Sequence, residues 1–402
     1  MTMLSVVIPA FNEEKGIAVI MQRVLAIKDS LKAAYIDEME LLVVNDGSRD
    51  RTFEVASQVG GKDPCVRVIS HSKNRGYGAA LKTGFANASG EFIGFLDADG
   101  TYPPEYFPEL CMAVRGGSDL VIGSRMMGAD SKMPVTRRIG NFIFANLLTA
   151  VGGVRVTDSA SGMRVFRRCI YERISPLPDG LNLTPVMSTR AIHENLKVAE
   201  VPIPYSERVG RSKLSVIRDG RIFLESILWT ALYYNPVRIL GFIGILGILL
   251  SLIVLLGFVV ARLMGIVTLG PWGVVALFFA LVNGVVGISV FSLGAAFNYL
   301  VSLFYKSPIR QGLLGKPLLK KPLEFSFGWI GLGLLIFGSV VAIGSLALGL
   351  SGWEMNRLWL YLVGSAMLIL VGTQLIVNWI LVRILSELSR RDDNVERDMH
   401  PA

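Results

Sequence analysis

The sequence predicts an α/β domain built on a mostly parallel sheet, followed by four membrane-crossing helices. Three observations point to this. The composition of the 402-residue chain changes sharply near residue 236, from mixed charged and apolar residues to long uncharged runs. Those runs, 239–261, 263–305, 325–353 and 358–382, each meet the roughly 20 apolar residues that cross a bilayer as a helix. Upstream, short stretches of nearly continuous apolar residues alternate with helix-forming ones, which is the pattern of strands buried on both faces by helices.

The elements follow in order. SVVIPAF reads as a first strand and precedes an amphipathic helix over roughly 14–31; ELLVVND precedes a helix from Asp50. VRVISHS leads to a helix over roughly 77–88, EFIGFLDAD to one from Pro104, and LVIGSR closes the series. Strand–helix alternation of this kind implies parallel pairing through crossover connections. NFIFANLLTAVGG (141–153) follows the basic pair Arg137-Arg138. It suits a helix at a bilayer surface or, equally, one packed on the sheet. Residues 217–236 carry charge at their start and aromatics at their end, which favours the interface.

Gly270-Pro271 breaks the 263–305 run and leaves one span from about 272, because proline ends a helix. Four spans put both chain ends on one side. The connector 306–324 carries Lys306, Arg310, Lys316, Lys320 and Lys321, while the other two connectors carry little beyond Arg262 and Arg357. Positive-inside bias therefore places that connector, the first domain and both termini in the cytoplasm, the whole being a multi-pass protein of the inner or plasma membrane. The expected division is a catalytic domain over 1–215, an interfacial helix over 216–236, the membrane helices over 237–385 and a tail over 386–402. The net charge of +8 is assigned to anionic lipid, with no nucleic-acid motif beside it. No signal peptide is expected. Cys65, Cys111 and Cys169 lack metal or redox spacing and are expected to be reduced, buried thiols. His71, His193 and His400 are too scattered for an imidazole metal site.

The most informative residues are Asp97 and Asp99, at the end of the apolar stretch EFIGFL. Alternation along an extended chain would point both the same way, and paired hard oxygens there suit Mg²⁺ or Mn²⁺ completed by substrate phosphates. Asn12 and Glu13 end the first strand and Asp46 the second, where a carboxylate can accept from a nucleobase or ribose. SKNRGYGAALKTG (72–84) has Leu81 where a dinucleotide fingerprint needs glycine, and Lys82 lacks the P-loop spacing. Arg75 and Lys82 remain as cations for a diphosphate. Asp158 and Arg164 flank the small-residue turn DSASGMR, and Arg208, Arg211 and Lys213 sit on a glycine-containing loop, a supply of cations for phosphates or lipid headgroups.

Taken in order, VVIPAFNEE, VVNDGS, NRGYGAALKTG, DAD, GSR (123–125), DSASGMR and ERVGRSKL resemble the family 2 glycosyltransferases of the GT-A fold, a Rossmann-like α/β domain. More narrowly they resemble dolichol-phosphate mannose synthases and bacterial polyprenyl-phosphate hexosyltransferases. The likeness covers residues 4–235 closely and the four spans only in kind. It implies that Pro9, Phe11, Glu13 and Asp46 line a nucleoside pocket, with Lys82 toward the donor. Asp97 and Asp99 would hold the metal and donor diphosphate, and Arg125 would contact the donor sugar or phosphates. Asp158 would stand where similar enzymes place a catalytic acid, while Arg138, Arg164, Arg208, Ser212 and Lys213 would grip phosphates or acceptor. Two positions depart from the family: Thr101 replaces a glutamine expected as a metal ligand, and Leu183-Thr184-Pro185-Val186-Met187 lacks an acid that many relatives carry.

The implied activity is inverting, metal-dependent transfer of a hexose from a UDP-glucose or GDP-mannose type donor to an undecaprenyl or dolichyl phosphate at the cytoplasmic face. A homo-oligomer is a possible assembly, and no nucleic acid is a partner. A processive polysaccharide synthase is one rival, but it needs Gln-x-x-Arg-Trp, and no tryptophan here follows an arginine. An inactive scaffold or transporter is another. The spans hold no Asp, Glu, Lys or Arg in their apolar cores, only Asn283, Asn298, Gln374 and Asn378, whereas intramembrane charges mark transport paths.

Overall fold

The computed structural model describes residues 2–127, 131–206, 216–266, 268–304, 313 and 326–399. The chain forms two units, Met1–Ala231 and Leu232–Ala402. In the first, a seven-stranded sheet runs in the order β3-β2-β1-β4-β6-β5-β7. Its strands are β1 Met3–Ala10, β2 Glu38–Asn45, β3 Val66–Ser70, β4 Phe92–Phe95, β5 Leu120–Ser124, β6 Arg164–Arg167 and β7 Val198–Pro202. All neighbours pair in parallel except β6, which is antiparallel to both β4 and β5. The five expected strands are present. β6 and β7 were not expected, because RVFR and VAEVP are short and carry charge.

The expected helix over 14–31 is two, α1 Ile17–Ala26 and α2 Lys28–Ala33. Then come α3 Thr52–Gly60, α4 Tyr77–Asn87, α5 Phe107–Arg115, α6 Val135–Gly152, α7 Tyr171–Ile174, α8 Leu183–His193 and α9 Val216–Tyr234. Helices cover both faces of the sheet, so successive β1 residues enter different cores. Val6 and Ile8 meet Leu41, Val43 and Phe107 on one side, and Val7 meets Leu42, Phe85, Phe95 and Phe166 on the other. Both cores are fully buried, which is why the strands read as unbroken apolar runs. Phe85 anchors the second, with ring centroids 5.6 Å from Phe95 and 5.2 Å from Phe166. The parallel register sets Ala10 of β1 beside Asn45 of β2. The loops after β1, β2 and β4 therefore leave the same edge, on either side of the point where strand order reverses. Of the thiols, only Cys111 is buried; Cys65 is half-buried and Cys169 exposed.

The second unit holds four helices long and apolar enough to cross a membrane: α10 Pro236–Leu263, α11 Pro271–Phe304, α12 Phe327–Leu350 and α13 Met355–Met399. α11 begins at the proline read as a helix break. α13 continues past its apolar part, which ends at Leu388. Glycines let the pairs approach closely. A Cβ on Gly244 would lie 2.6 Å from the Gly287 carbonyl, and one on Gly287 2.8 Å from that of Gly244. Asn378 donates to Ser292 Oγ, and the hydroxyls of Tyr299 and Ser386 lie 3.1 Å apart, so polar bonds join α11 to α13. Gly287→Leu should force α10 and α11 apart and lower the thermal midpoint of the detergent-solubilised protein by the equivalent of about 1–3 kcal/mol. Gly257→Leu, where a Cβ meets nothing within 4 Å, is the matched control and should leave the midpoint unchanged.

Candidate active site

A cavity of about 530 Å³ opens at the carboxyl edge of the sheet, within the first unit. Asp97 and Asp99 both line it. Both lie beyond the end of β4, so a turn, and not strand alternation, turns them to one cavity. Asp97 Oδ1 accepts from the Tyr77 hydroxyl at 2.8 Å. Burial, and then the charge of Asp97, holds the Tyr77 phenol well above its ordinary range, so it stays a donor. A Cβ on Gly162 would sit 2.6 Å from Asp97 Oδ2, so only glycine lets that backbone lie against the carboxylate. Asp99 Oδ1 accepts from Thr101 Oγ1 at 2.6 Å and from its amide at 3.2 Å. Thr101, 1% exposed, thus occupies the expected glutamine position as a brace for Asp99.

Pro9, Phe11, Glu13 and Asp46 line the same cavity. The loops after β1 and β2 lock together: Asn12 N donates to Ser48 Oγ at 3.0 Å, Arg49 N to Asn12 Oδ1 at 2.9 Å, and Glu13 N to Thr52 Oγ1 at 2.8 Å. Asp46 is buried and accepts from the amides of Arg75 and Gly76 at 2.9 and 2.8 Å. This closure requires Gly47, at φ +67, where a Cβ would lie 2.4 Å from the Lys73 backbone.

Arg125 lines the cavity, and Asp158 stands behind it without reaching the wall. The pair is bidentate, Nε to Oδ2 at 2.7 Å and Nη2 to Oδ1 at 2.8 Å, with the Arg125 amide adding a third bond at 3.0 Å. Arg125 also lies over the rings of Tyr102 and Tyr205, at 5.6 and 5.3 Å. Burial pushes the Asp158 carboxyl up, but Arg125 and its hydrogen bonds outweigh that and leave it below its ordinary 3.8. Glu200 on β7 accepts from the amides of Thr157 and Asp158, both at 2.9 Å, and so fixes the turn that presents the acid.

Four expected residues lie elsewhere. Arg164 is wholly buried and donates to the carbonyls of Ser161 and Ser159 at 3.1 and 2.8 Å and to Ser188 Oγ at 2.8 Å. It braces the turn after Asp158; burial lowers its pKa to about 10. Lys82 donates to the Leu177 carbonyl at 2.9 Å and pairs with Asp179, which fastens the 177–179 loop to α4. Arg138 is exposed on α6, and its neighbour Arg137 lines the cavity instead. Asp158 faces Arg125 and not the cavity. Arg208, Ser212 and Lys213 fall outside the described residues.

Sequence reading missed Tyr77, Tyr102, Tyr205 and Asp219, all at the wall. Tyr77 lies inside the NRGYG motif, and Asp219 is the lone acid in IRDGR, so both could have been marked. The cavity is also lined by the apolar side chains Met133, Phe144, Leu181 and Phe223. The rings of Phe144 on α6 and Phe223 on α9 are 5.9 Å apart. On its outer side α6 exposes Val135, Ile139, Phe142 and Ile143.

The model of glycosyl transferase family 2 matches residues 5–175, and that of a domain of unknown function (DUF8752) matches residues 236–396. The low-salt glycan biosynthesis hexosyltransferase Agl6 of Haloferax volcanii is 34% identical over 62% of this chain, and the match spans only 59% of that relative. The dolichyl-phosphate hexose transferase of the same organism is 33% identical over 56% of this chain and 92% of its own length. The undecaprenyl-phosphate 4-deoxy-4-formamido-L-arabinose transferase of Edwardsiella ictaluri is 29% identical over 75% of this chain and 89% of its own. Glucosyl-3-phosphoglycerate synthase from Mycobacterium tuberculosis, crystallised with Mn²⁺, UDP and phosphoglyceric acid, has a TM-score of 0.45 at 23% identity, covering 57% of this chain and 78% of its own.

Replacing Asp158 by Asn would leave the Arg125 guanidinium buried without its counter-charge, which costs about 3–5 kcal/mol in such sites. Thermal unfolding of Asp158→Asn should show that loss at neutral pH. Because the folded carboxyl is depressed below 3.8, the difference from wild type should be full above that pH and shrink as the pH falls below it.

Proposed function

This chain belongs to glycosyl transferase family 2, its first unit a GT-A-like domain, and from that premise we propose that it transfers a hexose from a nucleoside-diphosphate sugar to a polyprenyl phosphate. The observation that carries this is one cavity lined by Asp46, the Asp97/Asp99 pair, Arg125 and the apolar side chains Met133, Phe144, Leu181 and Phe223. The relatives support the acceptor: one is named for dolichyl phosphate and another for undecaprenyl phosphate, while their sugars differ.

Each part of the site has a place in this reaction. Pro9, Phe11, Glu13 and Asp46 take the nucleoside. Asp97 and Asp99 form an all-oxygen donor set that fits Mg²⁺ or Mn²⁺; among the described residues no group of three or more His, Cys, Asp or Glu is gathered for a metal. Such an ion would neutralise the leaving diphosphate. Arg125, held by Asp158 and two tyrosine rings, presents a fixed guanidinium to phosphate oxygens, and Arg208, Ser212 and Lys213 add to that grip. A phosphate oxygen of the acceptor bonds to the anomeric carbon as the bond to the donor diphosphate breaks. The diphosphate leaves with the electron pair, and in-line attack inverts the carbon. The attacking phosphate is already anionic at neutral pH, so no base is needed, and positioning and charge stabilisation dominate. This accords with an Asp158 engaged by Arg125.

Met133, Phe144, Leu181 and Phe223 suit the first isoprene units beside the phosphate. The exposed apolar face of α6, with Arg138, and the amphipathic α9 are read as bilayer contacts at the cytoplasmic face. Membranes given polyprenyl phosphate, Mn²⁺ and a panel of labelled nucleotide sugars should yield an organic-extractable glycolipid, and Asp97→Ala or Asp99→Ala should abolish it. Full activity in either variant would remove the metal role. A polymeric product would point to a processive synthase, and nucleotide binding without turnover to an inactive scaffold. Phe142→Asp should raise the KM for polyprenyl phosphate several-fold while the KM for the donor stays put; an unchanged acceptor KM would detach α6 from the lipid substrate.

A further inference from the structure

His71 is not used by the reaction as described, yet it is the buried partner of Asp46. Its Nδ1 lies 2.7 Å from Asp46 Oδ1 and its Nε2 2.9 Å from Thr83 Oγ1 on α4, and the two side chains are 6% and 3% exposed. The backbone holds the ring from the other side, with His71 N donating to the Asn45 carbonyl at 2.9 Å. An ionised carboxylate has about four lone-pair directions and no proton. On Asp46, Oδ1 accepts from both His71 Nδ1 and Arg75 N, and Oδ2 accepts from Gly76 N. Among the described residues this leaves one lone-pair direction, on Oδ2 of a side chain that lines the cavity. His71 therefore does two things: it fills Oδ1 and stops the carboxylate from turning.

We infer that His71 is the positioning residue that reduces Asp46 to a single acceptor aimed at the base, so that the site selects nucleotides with a ring N–H. Uracil at N3 and guanine at N1 carry that hydrogen. Cytosine N3 and adenine N1 present lone pairs, which a carboxylate repels. Because Asp46 only accepts, the proton between them sits on His71 Nδ1. Nε2 faces the Thr83 hydroxyl, which both donates and accepts, so Thr83 supports the ring from α4. The inference rests on reading the cavity as a nucleoside-diphosphate site.

The test compares two near-isosteric variants in the full-length, detergent-solubilised protein, by calorimetric titration with UDP, GDP, CDP and ADP in Mn²⁺. In His71→Asn the amide nitrogen takes the place of Nδ1 and still donates to Asp46. In His71→Gln it takes the place of Nε2, reaching Thr83 and leaving Oδ1 without that donor. Wild type is expected to favour UDP or GDP over both CDP and ADP by about tenfold or more, the usual range for a hydrogen bond to a charged group. His71→Asn should keep most of that preference, and His71→Gln should cut it to roughly threefold or less while CDP binding changes little. Equal weakening of all four nucleotides in both variants would make His71 a fold support only and overturn the inference. So would a preference that His71→Gln leaves intact, or a wild type that binds all four alike. A wild type that binds no nucleoside diphosphate would instead sink the reading of the cavity itself.

Discussion

Glu13, Asp46, Asp97 and Asp99 all line one cavity of about 530 Å³. The local structure is organised around holding these carboxylates at the wall. Donors set the orientation of three of them: two amides and His71 for Asp46, the Tyr77 hydroxyl for Asp97, and Thr101 for Asp99. Arg125 at the wall supplies positive charge, and a divalent cation would supply more. A site so arranged is suited to an incoming polyanion bound through a cation, and poorly suited to an anion alone.

The same loops that hold the acids also hold each other. Gly47 lets residues 73–76 fold over Asp46, and the amides at the start of α4 are in turn taken up by the Asp179 carbonyl, at 2.7 Å from Gly78 N and 3.1 Å from Ala79 N. The amino terminus of α4 is thus engaged by protein, which removes it as a phosphate cradle. Leu181, two residues beyond Asp179, lines the cavity, and Asn182 beside it donates to Ser226 of α9 at 2.7 Å. Polar and apolar parts of the cavity wall are therefore built from connected loops.

Much of this was legible in the sequence. The apolar runs of β1, β2, β4 and β5 were legible because burial on both faces leaves no alternation to confuse with a helix, and the edge strand β3, with Arg67 exposed, by its place between two helices. Four of the acids were legible because each ends such a run. What escaped depends on pairing across long separations. β6 is four residues with an arginine at each end, and only its antiparallel fit between β4 and β5 makes it a strand. Arg125 and Asp158 are 33 residues apart, so spacing suggested two independent contacts with substrate where there is one buried ion pair. Arg164 and Lys82 were read as cations for phosphate. Their neighbours' carbonyls claim them, and no local pattern announces that.

The two departures from the family pattern have different weight in the structure. Thr101 is not a lost function, since its hydroxyl and amide take hold of Asp99 and its carbonyl accepts from Ser206 N at 3.1 Å. It joins the metal-side acid to the segment that carries Tyr205, which in turn lies over Arg125. Asp99 and Arg125 are therefore joined through Thr101 and the segment of Tyr205, and a longer side chain at 101 would have to leave that buried position. Within α8, by contrast, Thr184 alone of the stretch 183–187 reaches the cavity. The other four side chains of that stretch are buried within the domain, so a charge at any of them would have to be paired inside the fold, and the absence of an acid there accords with the packing of α8.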